Sequence, residues 1–122
     1  MLGTTFGGSH LACSASLAVL DILKKDRLQE KTKDLENYFR TKAKEISQIK
    51  KIKGRGLMLG IEFDFEVASL RKSLIYDHHI FTGGSSNKYL IRILPPLTVQ
   101  ESHFDVFFNA LKIALKKNNK NL

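Results

Sequence analysis

The stretch IKKIKGRGLMLGIEF, residues 49–63, decides the fold that we expect for this chain. Residues 57–63 are apolar at nearly every position, which predicts a strand that is apolar on both faces and therefore central in a sheet. Gly54 and Gly56 interrupt the apolar pattern, so residues 49–53 are predicted to form a separate strand. The stretch thus predicts two strands in succession.

Helical patterns surround these two strands. Ser9 is a suitable cap for the first helix, and Thr98 with Glu101 forms the pattern of a capping box before the last one. The predicted helices cover residues 10–25, 26–47, 66–78 and 98 onward, and the predicted strands cover residues 49–53, 57–63, 80–82 and 89–94. This order favours an α+β fold in which helices pack on one face of a small, mainly antiparallel sheet.

The helix predicted over residues 10–25 carries apolar side chains around most of its circumference. A helix of this kind is buried on most sides in a folded protein. It needs a partner surface that a chain of 122 residues does not readily supply.

The net charge of +8 is unevenly distributed along the chain. Residues 24–55 contain 12 basic and 5 acidic side chains, a net of +7. Such a block is compatible with a basic nucleic-acid-binding module. Because the charges alternate with apolar residues at helical spacing, we favour a solvated helix face and expect no nucleic-acid partner.

Cys13 is the only cysteine, so an internal disulfide is impossible, and a reducing, cytoplasmic location fits. No apolar run approaches the roughly 20 residues of a membrane span, so no membrane partner is expected. His78 and His79 are adjacent and have no cysteine near them, and we expect no metal site.

The stretch GTTFGGSHLAC, residues 3–13, is the first candidate binding element. Thr4 and Thr5 offer hydroxyl donors, and Gly7 and Gly8 allow close approach of the backbone. The helix that follows presents unpaired N–H groups at its N-terminus, where anions bind readily. The alternative is that this stretch merely bends the chain before the helix.

Arg92 is the second candidate, because it lies within the apolar strand sequence LIRIL, residues 90–94. By alternation its side chain shares a face with Leu90 and Leu94. A guanidinium in such surroundings needs an acceptor. That acceptor is either an internal Asp or Glu, or the carboxylate of a ligand held by two parallel hydrogen bonds.

Three stretches together resemble the class III pyridoxal-phosphate aminotransferases, most closely their acetylornithine and succinylornithine branch. They are GTTFGGSHLACSASLAVLDIL (residues 3–23), IKGRGLMLGIEF (52–63) and YLIRILPPLTVQESHFD (89–105). The resemblance implies the small C-terminal domain of a fold type I enzyme over residues 25–122. It also implies that residues 1–24 are the end of the large domain and a long interdomain helix, with a phosphate-contacting turn at residues 3–9.

The resemblance also implies roles for individual residues. The threonine that matches Thr5, helped by the residue that matches Thr4, donates to the phosphate of pyridoxal 5'-phosphate across a homodimer interface. The arginine that matches Arg92 receives the substrate α-carboxylate. One difference is Ser9, where the family usually has asparagine; serine caps a helix about as well, so the turn is expected to be intact.

The implied reaction transfers an amino group from N-acetylornithine or N-succinylornithine to 2-oxoglutarate in arginine biosynthesis. An ornithine or 4-aminobutyrate aminotransferase is the alternative within the class. In the family, the Schiff-base lysine lies upstream of the stretch that matches this chain, so no catalytic residue is assigned here. The chain is therefore expected to be the C-terminal part of a longer enzyme and inactive by itself.

Overall fold

The computed structural model describes residues 3–119. Residues 1–2 and 120–122, which the predicted domain bounds include, lie outside the described residues. The elements, in chain order, are α1 (His10–Lys25), α2 (Leu28–Lys44), β1 (Lys51–Arg55), β2 (Met58–Glu62), α3 (Ala68–His78), β3 (Leu90–Ile93) and α4 (Glu101–Asn119). The predicted α+β class is confirmed.

The three strands form one antiparallel sheet in the order β1–β2–β3, which confirms the central position predicted for the second strand. In this register Gly60 of β2 is paired with Lys53 of β1 on one side and with Arg92 of β3 on the other. Paired residues share a face of a sheet, so Lys53 and Arg92 project from the same face.

The helices pack on the opposite face of the sheet, as predicted. The sheet contributes four buried side chains to the cluster that α2, α3 and α4 complete: Leu59, Ile61, Ile91 and Ile93. Phe39 of α2 is fully buried in this cluster. Its ring centroid lies 5.2, 6.2 and 4.9 Å from those of three phenylalanines of α4, which are Phe104, Phe107 and Phe108.

The turn between β1 and β2 is fixed to α2 by two side chains. Gly54 and Gly56 have positive φ angles of 95° and 56°, and a Cβ on Gly54 would lie 1.9 Å from the Met58 carbonyl oxygen. The N–H of Gly56 donates to Glu36 Oε2 at 2.6 Å, and Arg40 donates to the Gly54 carbonyl at 2.6 Å. Glycines at positions 54 and 56 are therefore a structural requirement of this hairpin.

The strand predicted at residues 80–82 is wrong. Ile80 instead helps to end α3, because its N–H donates to the Leu74 carbonyl at 2.9 Å, and His79 adopts a left-handed conformation. The segment meets the sheet through one isolated bridge, between Gly83 and Arg92.

The predicted capping box is also wrong. Helix α4 begins at Glu101, and the N–H of Gln100 donates to His103 Nδ1 at 3.1 Å. Thr98 lies in the turn that precedes the helix.

Helix α1 has the predicted limits, and Ser9 caps it by accepting from the N–H of Ala12 at 3.3 Å. The predicted burial is not found in this chain, because no residue of α1 is buried and only Leu23 is half-buried. The apolar side chains that remain exposed include Leu11, Leu17, Val19, Leu20 and Ile22. Within the described residues, no surface covers this helix.

We expect Glu36→Gln to destabilise the fold near neutral pH and to flatten its pH dependence in acid. The Gly56 N–H holds the pKa of Glu36 below its ordinary value, and Arg40 adds to this effect. The stabilisation is therefore present above the ordinary pKa of glutamate and is lost as the pH falls through the lower pKa of the folded state. Urea unfolding should show a loss of about 1–2 kcal/mol at neutral pH, which shrinks toward about pH 3. An equal loss at both pH values would contradict this account.

Candidate functional site

Arg92 lies in the middle of β3, on the face of the sheet that the helices leave open, and its side chain is exposed. Among the described residues, no carboxylate forms an ion pair with its guanidinium, and no side chain accepts a hydrogen bond from it. Of the two acceptors considered from the sequence, the internal Asp or Glu is therefore not found in this part of the chain.

An apolar cleft of about 360 Å³ opens beside Arg92. Residues 80–83 form one wall, residues 93–96 form the other, and His103 with Phe104 and Phe107 closes the end toward α4. Phe81 stands at the mouth with 83% of its surface exposed. Arg92 is the only lining residue that carries a permanent charge, so the cleft suits a ligand with one anionic group on an otherwise uncharged body.

The surface beside Arg92 on the open face is apolar where Leu90 covers the backbone of β2. Gly60, the cross-strand partner of Arg92, is covered by Leu90, whose side chain would lie 3.2 Å from a Cβ at that position. On the other side of Gly60, Lys53 is neutralised by Glu62 at 2.9 Å. Among the described residues, Arg92 is thus a cation on this face that has no carboxylate partner and is available to an anion.

Thr4 and Thr5 lie in an exposed turn before α1. Gly8 has a φ of 77°, and Ser9 uses its side chain as the helix cap. Among the described residues, the N–H groups of His10 and Leu11 have no acceptor. Two hydroxyls and two free N–H groups at one helix end are a donor set that suits a phosphate.

The structure does not bring the two candidate elements together. The cleft beside Arg92 is lined by residues between Ile80 and Phe107, and the turn at residues 3–9 is not part of it. Each element therefore presents its donors at the surface of the described structure.

Sequence reasoning missed two residues that hold Arg92 in place. Gly83 exchanges two backbone hydrogen bonds with Arg92, and Arg71 of α3 donates to both the carbonyl and the hydroxyl of Thr82. Two adjacent glycines before a strand that carries a lone arginine were the available signal.

The described part of the chain lacks two further features, a metal-binding cluster and a membrane-spanning helix. Within residues 3–119, no group of three or more histidine, cysteine, aspartate or glutamate side chains is placed to hold a metal ion. No helix there has the length and apolar character to cross a bilayer.

A family model, described as aminotransferase class-III, matches residues 1–115. The acetylornithine aminotransferase of Aquifex aeolicus is 38% identical over 115 residues, covering 90% of this chain and 28% of the relative. The ornithine aminotransferase of a Geobacillus strain is 34% identical over 105 residues, covering 84% of this chain and 26% of the relative. The chain thus spans little more than a quarter of the length of these relatives.

A solved structure supports the fold independently. The acetylornithine aminotransferase of Elizabethkingia anophelis superimposes with a TM-score of 0.78 and 24% identity, over 96% of this chain and 31% of the other. At this identity the likeness shows the fold alone, which is that of a small α+β domain of a fold type I enzyme.

Proposed function

Since the chain belongs to the class III aminotransferase family, we propose that it is the C-terminal part of an N-acetylornithine or N-succinylornithine aminotransferase. The whole enzyme would transfer the amino group to 2-oxoglutarate in arginine biosynthesis, in the cytoplasm. The observation that carries the proposal is the unpaired Arg92 guanidinium on the open sheet face, beside an apolar cleft. An ornithine aminotransferase is the alternative, and the Geobacillus relative supports it; a 4-aminobutyrate aminotransferase is the other member of the class considered.

We further propose the division into residues 1–24, as the end of the large domain with its connecting helix, and residues 25–122, as the small domain. The exposed apolar surface of α1 supports this division, because such a helix is stable only when packed against further protein. The break at Asp26 and Arg27 separates α1 from the packed helices.

Class III aminotransferases use pyridoxal 5'-phosphate, and the residues of this chain fit one part of it. The hydroxyls of Thr5 and Thr4, with the free N–H groups of α1, would hold its phosphate; their exposure supports a site shared with a partner subunit. When bound, the cofactor supplies an electron sink for amino transfer. The proposed assembly is a homodimer that acts on small amino and 2-oxo acids.

Arg92 binds and orients the substrate in this proposal. Its planar guanidinium holds an α-carboxylate by two parallel hydrogen bonds, which fixes the direction of the Cα substituents. The apolar walls of the cleft, including Phe81 and Pro95, exclude water from that ion pair and thereby strengthen it. In this proposal the chain positions the substrate and does not itself transfer a proton.

We expect the 122-residue chain alone to lack aminotransferase activity. The lysine that holds the cofactor in the family lies upstream of the stretch matched here. The test is glutamate formation from N-acetylornithine and 2-oxoglutarate in the presence of pyridoxal 5'-phosphate, with the Aquifex aeolicus enzyme as positive control. Sustained turnover by the chain would refute the expectation.

Thr5→Val in the full-length protein should weaken cofactor retention and leave the fold intact. A hydrogen bond to a charged group contributes roughly 1.5–3 kcal/mol, so the Kd of the cofactor should rise about tenfold or more. Thr98→Val, an exposed threonine in another turn, is the matched control. Equal cofactor affinity in both variants would mean that Thr5 only shapes the turn.

Arg92→Ala in the full-length protein should lower kcat/KM for N-acetylornithine and 2-oxoglutarate by about 30-fold to several thousand-fold. This range follows from about 2–5 kcal/mol for losing one partner of a desolvated charge pair. Arg92→Lys should also lower kcat/KM, because an ammonium cannot form the two parallel hydrogen bonds that a planar guanidinium makes with a carboxylate.

Arg55→Ala, which removes another exposed arginine of the same sheet face, is the control for Arg92→Ala. Cofactor binding should be retained in each of these Arg92 and Arg55 variants. For amine substrates without an α-carboxylate, Arg92→Ala should lower kcat/KM much less than for N-acetylornithine. If Arg92→Ala folds normally and handles 2-oxoglutarate like the wild type, Arg92 is not the carboxylate-binding residue.

A further inference from the structure

The position of Arg92 depends on a short segment, residues 80–84, that runs beside the edge of β3 that β2 does not occupy. The N–H and carbonyl groups of Gly83 each pair with those of Arg92 at 2.9 Å. This pair is the one bridge between the segment and the sheet in the described structure. A Cβ on Gly83 would lie 3.0 Å from Arg92 Cβ and 3.6 Å from Arg92 Nε, so the side chain of Arg92 runs over the bare backbone of Gly83.

The same segment is held from the other side by Arg71 of α3. Its Nη2 donates to the Thr82 carbonyl at 2.9 Å, and its Nε lies 3.4 Å from Thr82 Oγ1. A Cβ on Gly84 would lie 2.8 Å from Arg71 Nη1. The two adjacent glycines thus accommodate one arginine each, with Gly83 under Arg92 and Gly84 under Arg71.

Arg71 has no carboxylate partner among the described residues, so its guanidinium serves the segment rather than an ion pair. A separate cavity of about 260 Å³ lies beside it, but Glu66 lines that cavity together with Lys88. Glu66 and Lys88 are paired at 3.7 Å, so Arg71 carries the remaining charge of that cavity, but its Nε and Nη2 already donate to Thr82. The contacts with Thr82 therefore account for Arg71 better than a ligand does.

We propose that Arg71 is a positioning residue for Arg92, and this inference rests on the proposed function. It fixes Thr82, which fixes the adjoining Gly83, whose backbone and missing side chain set the direction of the Arg92 guanidinium. Without Arg71, the segment is held by the cap bond of Ile80 at one end and by a single bridge at the other. The guanidinium of Arg92 then loses its fixed orientation, although its charge remains.

The experiment uses the full-length protein and compares Arg71→Ala with Lys72→Ala, the exposed neighbour on the same helix. Arg71→Ala should lower kcat/KM for N-acetylornithine and 2-oxoglutarate by about 10- to 100-fold, the range expected for a misplaced binding group. The loss should appear mainly in KM, and cofactor retention should stay at the wild-type level. An amine substrate without a carboxylate should react as with the wild type.

The double variant Arg71→Ala/Arg92→Ala distinguishes positioning from general damage. If Arg71 acts through Arg92, its removal costs nothing further once Arg92 is gone, so the two effects are strongly non-additive. The inference is overturned if Arg71→Ala lowers kcat/KM by the same factor in the Arg92→Ala background as in the wild type. It is also overturned if Arg71→Ala and Lys72→Ala have the same kcat/KM.

Arg71→Lys covers the case in which Arg71→Ala does not fold. The ammonium can donate to the Thr82 carbonyl but cannot also reach the hydroxyl in the same geometry, so a loss of about threefold to tenfold is expected. Wild-type kinetics in Arg71→Lys would then overturn the inference. If Arg92→Ala alone behaves like the wild type, the proposed function fails and this inference with it; if only the Arg71 variants behave so, the proposed function stands.

Discussion

The packing of Phe39 against the rings of α4 determines which face of the sheet is covered. Because α2 and α4 meet over this buried ring, both helices lie on the side of Leu59, Ile61, Ile91 and Ile93. The other face is then left open, and alternation along β3 places Arg92 on it. An apolar cluster on one side of a thin sheet thus provides the reason why a charged side chain on the other side is free.

Much of this arrangement follows from local patterns in the sequence. The apolar run at residues 57–63 predicted the central strand, since a strand that is apolar on both faces is typical of the middle of a sheet. Ser9 and the apolar run after it predicted the limits of α1, because a cap and a periodic pattern are both short-range signals. The choice of Arg92 as a candidate rested on one charge in an apolar strand.

The error at residues 80–82 arose because contacts outside the segment prevailed over its local preference. These residues have the composition of a strand, but the N–H of Ile80 donates to the end of α3, and Arg71 donates to the carbonyl of Thr82. The error before α4 is local instead, since His103 rather than Thr98 interacts with a backbone N–H there, that of Gln100. No pattern within ten residues encodes the contact between Arg71 and Thr82, which depends on the way α3 packs.

The break between α1 and α2 has a mechanical consequence. Arg27 adopts a left-handed conformation with a φ of 51°, so the two helices are not one rod. At a rise of 1.5 Å per residue, the 16 residues of α1 span about 24 Å. A rotation of α1 by about 10° at the break therefore moves its N-terminal end by about 4 Å. A hydrogen bond tolerates only a few tenths of an ångström. The backbone conformation at Arg27 therefore sets the position of the turn that holds Thr5, five residues before the first residue of α1.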